Sequence, residues 1–181
     1  MYKFSNKEQS RVNNLSIGIF DIDPTSYQWA AYQKWVDVGG ITEPFNTPQE
    51  VISEVRSNII QEGRSRRYGG LLIQDKWVSS DQDARLEYLA LRDIVRDMIS
   101  SGSTLTAPVI VDGEQATVDT LDNISVPLTC QRVILLIESI RLLDMRLKRV
   151  TKYHLNQVTL SADPVNYDYL TGWPLRYEDT I

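Results

Sequence analysis

The spacing of apolar residues in the second half of the chain predicts a small α+β domain. Apolar residues over 86–99 and over 130–154 recur every three to four positions, which is the period of an amphipathic helix. Short β-prone runs flank the polar pair Gln74 and Asp75, as in a tight hairpin. The sequence therefore predicts hairpins followed or flanked by two long helices.

Side chains that can cap a helix indicate where the two long helices begin. Ser79, Ser80 or Asp81 can accept a hydrogen bond from the first turn of one helix. Thr129 can do the same for the other, which is expected to run to about His154. Both helices therefore have a defined predicted start.

The remaining part of this half predicts a second hairpin and an irregular end. Asp112 and Gly113 form a preferred turn pair, so we expect a hairpin over 108–118 and a further strand over 121–128. After 157 the aromatic residues lie among proline, aspartate and asparagine, which favours an extended arm held by aromatic contacts.

The first half of the chain predicts a strand and two helices. An apolar run at 15–20 suits one strand. Asp23 and Pro24 suit a helix start, with the helix ending near Val38 at the following glycine, Gly39.

A second helix is expected to begin at Asn46 or Thr47, with Glu50 completing a capping box. It ends in the arginine-rich run at 64–67. The predicted organisation is a helical attachment segment at 1–67, an α+β domain at 68–157 and an extended arm at 158–181.

Apolar residues of the last long helix alternate at steps of three and four, as in a coiled coil. These residues are Val133, Leu136, Ile140, Leu143 and Leu147. Such a heptad seam can bind another chain, or it can face the core of its own domain. We interpret it as a partner-binding seam in a homo-oligomer, with a trimer favoured, and the core alternative stays open.

Trp29, Tyr32 and Trp35 lie three residues apart on the first predicted helix. Aromatic residues at this density either anchor a small core or form the central contacts of an interface. We interpret them as partner-binding residues.

Two motifs resemble segments of tailed-bacteriophage tail proteins. The first, Asp23, Pro24, Trp29, Tyr32, Trp35 and Gly39, resembles a segment of small proteins encoded beside or within tail-fibre genes. The second, Gly69, Gly70, Trp77, Asp81, Arg85 and Leu89, is similar to a domain of uncharacterised function in tail-fibre and tail-fibre-associated proteins. The resemblance implies a protein that binds a tail fibre or baseplate, in the virion tail, assembled in the cytoplasm of the bacterial host.

Charge and reactive side chains argue against catalysis. The net charge of −5 argues against a general nucleic-acid surface, and no stretch has the apolar length needed to cross a bilayer. His154 and Cys130 are the single histidine and cysteine, so no metal site is expected, while an interchain bridge through Cys130 stays open. Basic clusters at 64–67 and 146–152 are interpreted as solvated helix ends. We expect no catalytic, cofactor-binding or metal-binding residues, and no nucleic-acid or membrane partner.

The resemblance, with no catalytic pattern beside it, implies a non-enzymatic structural or accessory tail protein that binds a tail fibre or baseplate. One form of this role is an assembly chaperone retained on the virion. Two alternatives remain. One is a tail-fibre or baseplate component proper, and the other is a receptor-binding or glycan-binding module.

Overall fold

The computed structural model describes residues 1–6, 8–44 and 46–180, and these residues have the α+β fold that the sequence predicts. The chain forms two compact units, Met1–Val55 (unit 1) and Arg56–Ile181 (unit 2). Unit 1 contains β1 (Tyr2–Phe4), β2 (Val12–Asn14), β3 (Ile19–Ile22), α1 (Trp29–Asp37) and the start of α2 (Pro48–Tyr68). Unit 2 contains the rest of α2, then β4 (Leu71–Ile73), β5 (Lys76–Val78), α3 (Gln82–Ser100), β6 (Ile110–Val111), β7 (Glu114–Gln115), β8 (Thr117–Asp119), β9 (Ser125–Pro127), α4 (Cys130–Leu160) and a 3₁₀ turn (Tyr177–Thr180).

Unit 1 is not purely helical, because its first 22 residues form a three-stranded antiparallel sheet in the order β1-β2-β3. The predicted strand at 15–20 is displaced to β3, since the chain turns before Ile19 with Gly18 at a φ of +67°. The core of this unit is formed by Tyr2, Val12 and Ile22, all nearly inaccessible to solvent. The sheet replaces the single strand that the sequence predicts.

A register shift between β2 and β3 accompanies the outward position of the Phe20 side chain. Val12 pairs with Ile22 and Asn14 pairs with Ile19, so three steps on β3 oppose two on β2. Asp21 sits in this irregularity at a φ of +59°, and its N–H donates to the Asn13 side chain at 2.7 Å. Because the bulge breaks the alternation of the strand, Ile19 and Ile22 both face the core.

Helix α1 begins later than predicted. Asp23 accepts hydrogen bonds from the Thr25 backbone N–H at 2.8 Å and from the Thr25 hydroxyl at 2.6 Å, which makes a local turn instead of a cap. The helix starts at Trp29 and ends as predicted, with Gly39 at a φ of +91° and its N–H donating to the Val36 carbonyl at 2.9 Å.

Helix α2 begins with the predicted capping box. The Thr47 N–H donates to Glu50 Oε2 at 2.7 Å, and the Glu50 N–H donates to Thr47 Oγ1 at 3.2 Å. The two units divide within this helix, after Val55, whereas the sequence placed the boundary after residue 67. The division is earlier because Arg56 already belongs to unit 2, where its guanidinium donates to the Leu155 carbonyl of α4 at 3.1 Å.

The hairpins of unit 2 follow their turn residues. Gln74 and Asp75 have φ angles of 48° and 64°, and Asp112 and Gly113 have 53° and 87°, so both pairs adopt the left-handed conformation of a type I′ turn. The strand expected over 121–128 is shorter. Its first part is a turn around Asn123, at a φ of 61°, and only β9 pairs with β8.

Helices α3 and α4 pack against each other and have the predicted caps. Asp81 accepts from the Ala84 N–H at 2.8 Å and Thr129 accepts from the Arg132 N–H at 3.4 Å. Helix α4 is longer than predicted and extends past His154 to Leu160. Within the described parts of the chain, no helix has both the length and the hydropathy that a membrane-spanning helix requires.

Residues 161–180, here called the C-terminal strap, are irregular apart from the 3₁₀ turn and belong to unit 2. Trp173 is 8% exposed and packs over Gly63 of α2, where an added Cβ would lie 3.4 Å from the indole ring. Arg66 donates to the Pro174 carbonyl at 2.9 Å and to Asp179 at 2.8 Å. A buried aromatic side chain and a buried arginine are therefore among the residues that hold the strap.

Candidate functional site

The aromatic residues of α1 pack against the sheet of unit 1. The Tyr2 ring lies 5.1 Å from the Tyr32 ring and 5.0 Å from the Trp35 ring, centroid to centroid. Trp29 and Tyr32 are 4.8 Å apart, and the Tyr32 hydroxyl hydrogen bonds with Thr42 Oγ1 at 2.9 Å. Trp29, Tyr32 and Trp35 are therefore partly buried against the core of unit 1, and their assignment as partner-binding residues stays a prediction.

The same unit leaves other large apolar side chains in solvent. They are Ile17 (66% exposed), Phe20 (67%), Tyr27 (85%), Val38 (84%) and Ile41 (86%). Phe20 points outward because of the bulge at Asp21, so the alternation of residues along the sequence could not identify it. Val38 follows the end of α1, where the helical pattern no longer applies.

The heptad seam of α4 packs mainly within its own chain. Val133, Leu136, Leu143 and Leu147 are between 0% and 9% exposed, and Ile140 is partly exposed beside α3. The interpretation of these four buried residues as contacts to another chain is wrong, because unit 2 itself already covers them. The heptad spacing marks one buried stripe along α4, and this stripe packs in the core of unit 2.

Arg85 joins three elements of unit 2, with a side chain only 10% exposed. Its guanidinium donates to the Ser80 carbonyl at 2.7 Å, to the Arg67 carbonyl at 2.8 Å and to both oxygens of Asp144 at 3.3 Å. Arg67 also pairs with Asp144, at 3.2 Å. Burial lowers the pKa of the Arg85 guanidinium, and the Asp144 charge opposes this shift. The arginine ties the end of α2 and the start of α3 to the middle of α4.

Three more residues of the second motif, Asp81, Gly70 and Trp77, also have structural roles. Asp81 caps α3, and the hydrogen bond from the Ala84 N–H is the main reason that its pKa is lowered. Gly70 has a φ of +100°, and an added Cβ would lie 3.1 Å from the Trp77 ring. Trp77 in turn makes an edge contact with the Tyr177 ring of the strap, at 6.2 Å between centroids. The motif therefore encodes the junction of α2, the first hairpin and α3.

His154 is 2% exposed and has both ring nitrogens in hydrogen bonds. Nε2 lies 2.9 Å from the Thr171 carbonyl, so this nitrogen is the donor, and Nδ1 lies 2.7 Å from the Tyr167 hydroxyl. The imidazole also stacks on Trp173, with centroids 5.5 Å apart. Its role is to bind the C-terminal strap to α4.

The single cysteine is also part of the core. Cys130 is 0% exposed at the start of α4, so its sulfur cannot form a bridge to another chain in this fold. Among the residues that the structure describes, no group of three or more histidine, cysteine, aspartate or glutamate side chains is arranged to hold a metal ion.

The members of the two basic clusters seen in the sequence have different environments in the structure. Arg66 is buried against Glu62 and Asp179. Other members line a groove of about 560 Å³ between α2 and α4, here called the α2–α4 groove. Its basic residues are Arg56, Arg64, Arg67, Lys148 and Lys152. The sequence missed this site because the two clusters are about 80 residues apart, and only the packing of α2 beside α4 brings them together.

Comparisons with protein-family models, with curated proteins and with solved structures find no match to this chain.

Proposed function

We propose that the protein is a non-enzymatic structural or accessory protein of a bacteriophage tail, and that unit 1 attaches it to a tail fibre or baseplate protein. The observation that carries this proposal is the set of apolar side chains that unit 1 leaves in solvent. Phe20, Tyr27 and Ile41 are each at least two-thirds exposed. Large exposed apolar side chains in a small folded unit are typical of surfaces that another protein covers.

The attachment residues in this proposal differ from those that the sequence favoured. Trp29, Tyr32 and Trp35 hold α1 on the sheet, and through that packing they set the shape of unit 1. The side chains offered to a partner are those around the bulge and at the two ends of α1. The first motif then encodes a small scaffold, and the binding surface lies on residues outside the motif.

The residues of the second motif support a structural role for unit 2. Arg85 connects α2, α3 and α4 through hydrogen bonds, and Asp81 caps α3. Trp77 packs within the first hairpin, against Gly70. Each has a structural reason for its position. The proposal therefore assigns unit 2 the role of a folded body carried by unit 1.

Purified particles of a phage that encodes this chain test the proposal. A retained protein is expected at a fixed ratio to the major capsid protein by quantitative mass spectrometry. A transient chaperone is absent from wild-type particles, and deleting its gene leaves particles without assembled fibres. The proposal fails if the protein is absent and gene deletion leaves the tails complete.

A matched pair of variants tests the role of unit 1 in the same particles. Phe20→Ser with Tyr27→Ser is expected to reduce incorporation at least about tenfold. The reason is that the variant no longer buries these two apolar side chains against the partner protein. Leu160→Ser with Val165→Ser removes apolar side chains of unit 2 that are 78% and 69% exposed. This control pair is expected to be incorporated normally. Equal loss in both pairs would contradict attachment through unit 1.

A further inference from the structure

The α2–α4 groove has cations on both walls. Arg56 and Arg64 belong to α2, and Lys148 and Lys152 belong to α4. Among the residues that the structure describes, no carboxylate lies within ion-pair distance of these four side chains. Asp144 also lines the groove, but its charge is already shared between Arg67 and Arg85. The groove therefore carries uncompensated positive charge on a chain whose net charge is −5.

Apolar side chains also line the groove, and they are here called its apolar floor. Ile60 is 40% exposed there, and Leu147 and Leu155 lie beside it. A surface that combines apolar side chains with flanking cations matches a ligand that has an apolar face and acidic flanks. Bare phosphate groups would leave Ile60 and Leu155 without an apolar partner.

The groove has the dimensions of a peptide site. Arg56 contacts Leu155, and Arg67 contacts Asp144, so α2 and α4 run antiparallel along it. The helical rise between Arg56 and Arg67 gives a length of roughly 16 Å. This length accommodates about three turns of a docked helix.

We propose that the α2–α4 groove binds an acidic amphipathic helix of a partner protein. Leucine-like side chains of this helix pack on Ile60 and Leu155, while its carboxylates pair with Arg56 and Arg64 on one wall and with Lys148 and Lys152 on the other. This site lies in unit 2 and is independent of the attachment role proposed for unit 1. Nucleic acid is the less suitable ligand, because its phosphate groups would leave the apolar side chains of Ile60 and Leu155 without an apolar partner.

Fluorescence anisotropy with the full chain tests this site directly. The probe is a fluorescein-labelled helical peptide with leucine every three to four positions and glutamate on both flanks. Three comparison probes replace glutamate by lysine, replace leucine by serine, or substitute a single-stranded thymidine oligonucleotide. We expect the glutamate–leucine peptide to bind at least about tenfold more tightly than each of these, since only it matches both the charge and the apolar floor.

Two double variants with the same charge change distinguish binding in the groove from a general electrostatic effect of the protein's charge. Lys148→Glu with Lys152→Glu is expected to weaken binding at least about tenfold. Arg146→Glu with Arg149→Glu lies on the same helix but outside the groove, so binding is expected to change less than about threefold. Arg64→Glu on the opposite wall provides a second test, and circular dichroism verifies that all variants fold.

Several results would overturn the proposal. One is no binding of the glutamate–leucine peptide to the parent protein at low salt, and another is equal weakening in the two double variants. Binding of the serine peptide as tight as that of the leucine peptide would remove the role of the apolar floor. Tighter binding of the oligonucleotide would assign the groove to nucleic acid instead.

Discussion

At the scale of single residues, His154 shows how one buried polar side chain can hold a segment without regular structure. Its two nitrogens and its ring face contact Thr171, Tyr167 and Trp173, all in the C-terminal strap. A phenyl ring of similar shape would keep the stacking but lose both hydrogen bonds. The Thr171 carbonyl and the Tyr167 hydroxyl would then lose their partner.

His154→Phe is therefore expected to lower the free energy of unfolding by about 1–3 kcal/mol, the cost of leaving buried polar groups unpaired. Urea unfolding followed by circular dichroism measures this change. The neighbouring Tyr153→Phe is the control, because Tyr153 is 57% exposed and its substitution should change stability by less than about 0.5 kcal/mol. An unchanged midpoint for His154→Phe would show that the strap does not depend on these bonds.

Arg85 provides a second prediction at this scale. Arg85→Met should destabilise the protein by about 2–3 kcal/mol, because two carbonyl groups and Asp144 lose a donor, while Arg67 still neutralises part of the carboxylate. Arg85→Lys should recover less than half of this loss, since an ammonium group lacks the planar fork that reaches three acceptors. Arg92→Met, at a side chain 51% exposed, should be nearly neutral. Thermal unfolding of the three variants measures these changes. Equal stability of Arg85→Met and Arg92→Met would show that the hydrogen bonds of Arg85 are dispensable.

At the scale of elements, the helix caps and tight turns could be predicted from neighbouring residues in the sequence. The pairing of strands that are distant in the sequence could not. The capping box at Thr47 and the type I′ turns at 74–75 and 112–113 depend on neighbouring residues, so the sequence contains all the information needed to predict them. Strands β1 and β2 have three residues each, of which only half are apolar, and they form because they pair with each other and with β3. The outward position of Phe20 depends on a bulge that no two-residue period predicts.

Candidate sites show the same limit. The spacing of the heptad seam correctly identifies a buried stripe on α4, but spacing alone cannot say whether the covering surface belongs to the same chain. The packing of α3 on α4 answers that question. In the same way, the basic residues at 64–67 looked like one helix end, whereas the fold buries Arg66 and leaves Arg64 in the groove.

The cap of α3 provides a prediction with a pH dependence. The hydrogen bond from Ala84 lowers the pKa of the Asp81 carboxyl below its ordinary value of 3.8. A group with a lowered folded-state pKa stabilises the fold above its unfolded pKa, and this stabilisation is lost as the pH falls through the folded pKa. Asp81→Ala should cost about 1 kcal/mol at neutral pH, whereas Asp81→Ser should cost less than about 0.5 kcal/mol because serine also caps.

Denaturant unfolding at neutral pH and at pH values below that of the free carboxyl measures the effect. The difference between the parent and Asp81→Ala should shrink as the pH falls, since the parent loses its charged cap while the alanine variant has none to lose. A difference that stays constant with pH would contradict the role of the ionised carboxylate.

At the scale of the whole molecule, the two units have separate cores. Val12 is 0% exposed in unit 1, and Val158 is 0% exposed in unit 2. A unit as small as the first buries a limited apolar surface and has correspondingly little stability to lose. A single core substitution should therefore affect the two units unequally.

Val12→Ala is expected to remove about 2 kcal/mol from unit 1, through lost burial and the cavity left behind. Hydrogen exchange measured by mass spectrometry should show faster exchange in β1–β3 and α1, with α3 and α4 unchanged. Val158→Ala is the matched control and should act on unit 2. Equal loss of protection in α3 and α1 after Val12→Ala would show that the chain unfolds as one unit.

The C-terminal strap has a consequence for how the protein is made. A ribosome synthesises α2 and α4 before it reaches Trp173, so the apolar site over Gly63 stays uncovered while the nascent chain grows. Unit 2 can complete its packing only when the last segment of the strap has left the ribosome. A chain that stalls before Trp173 keeps this site open and lacks the partners of His154, so we expect it to be cleaved by proteases faster than the complete strap allows.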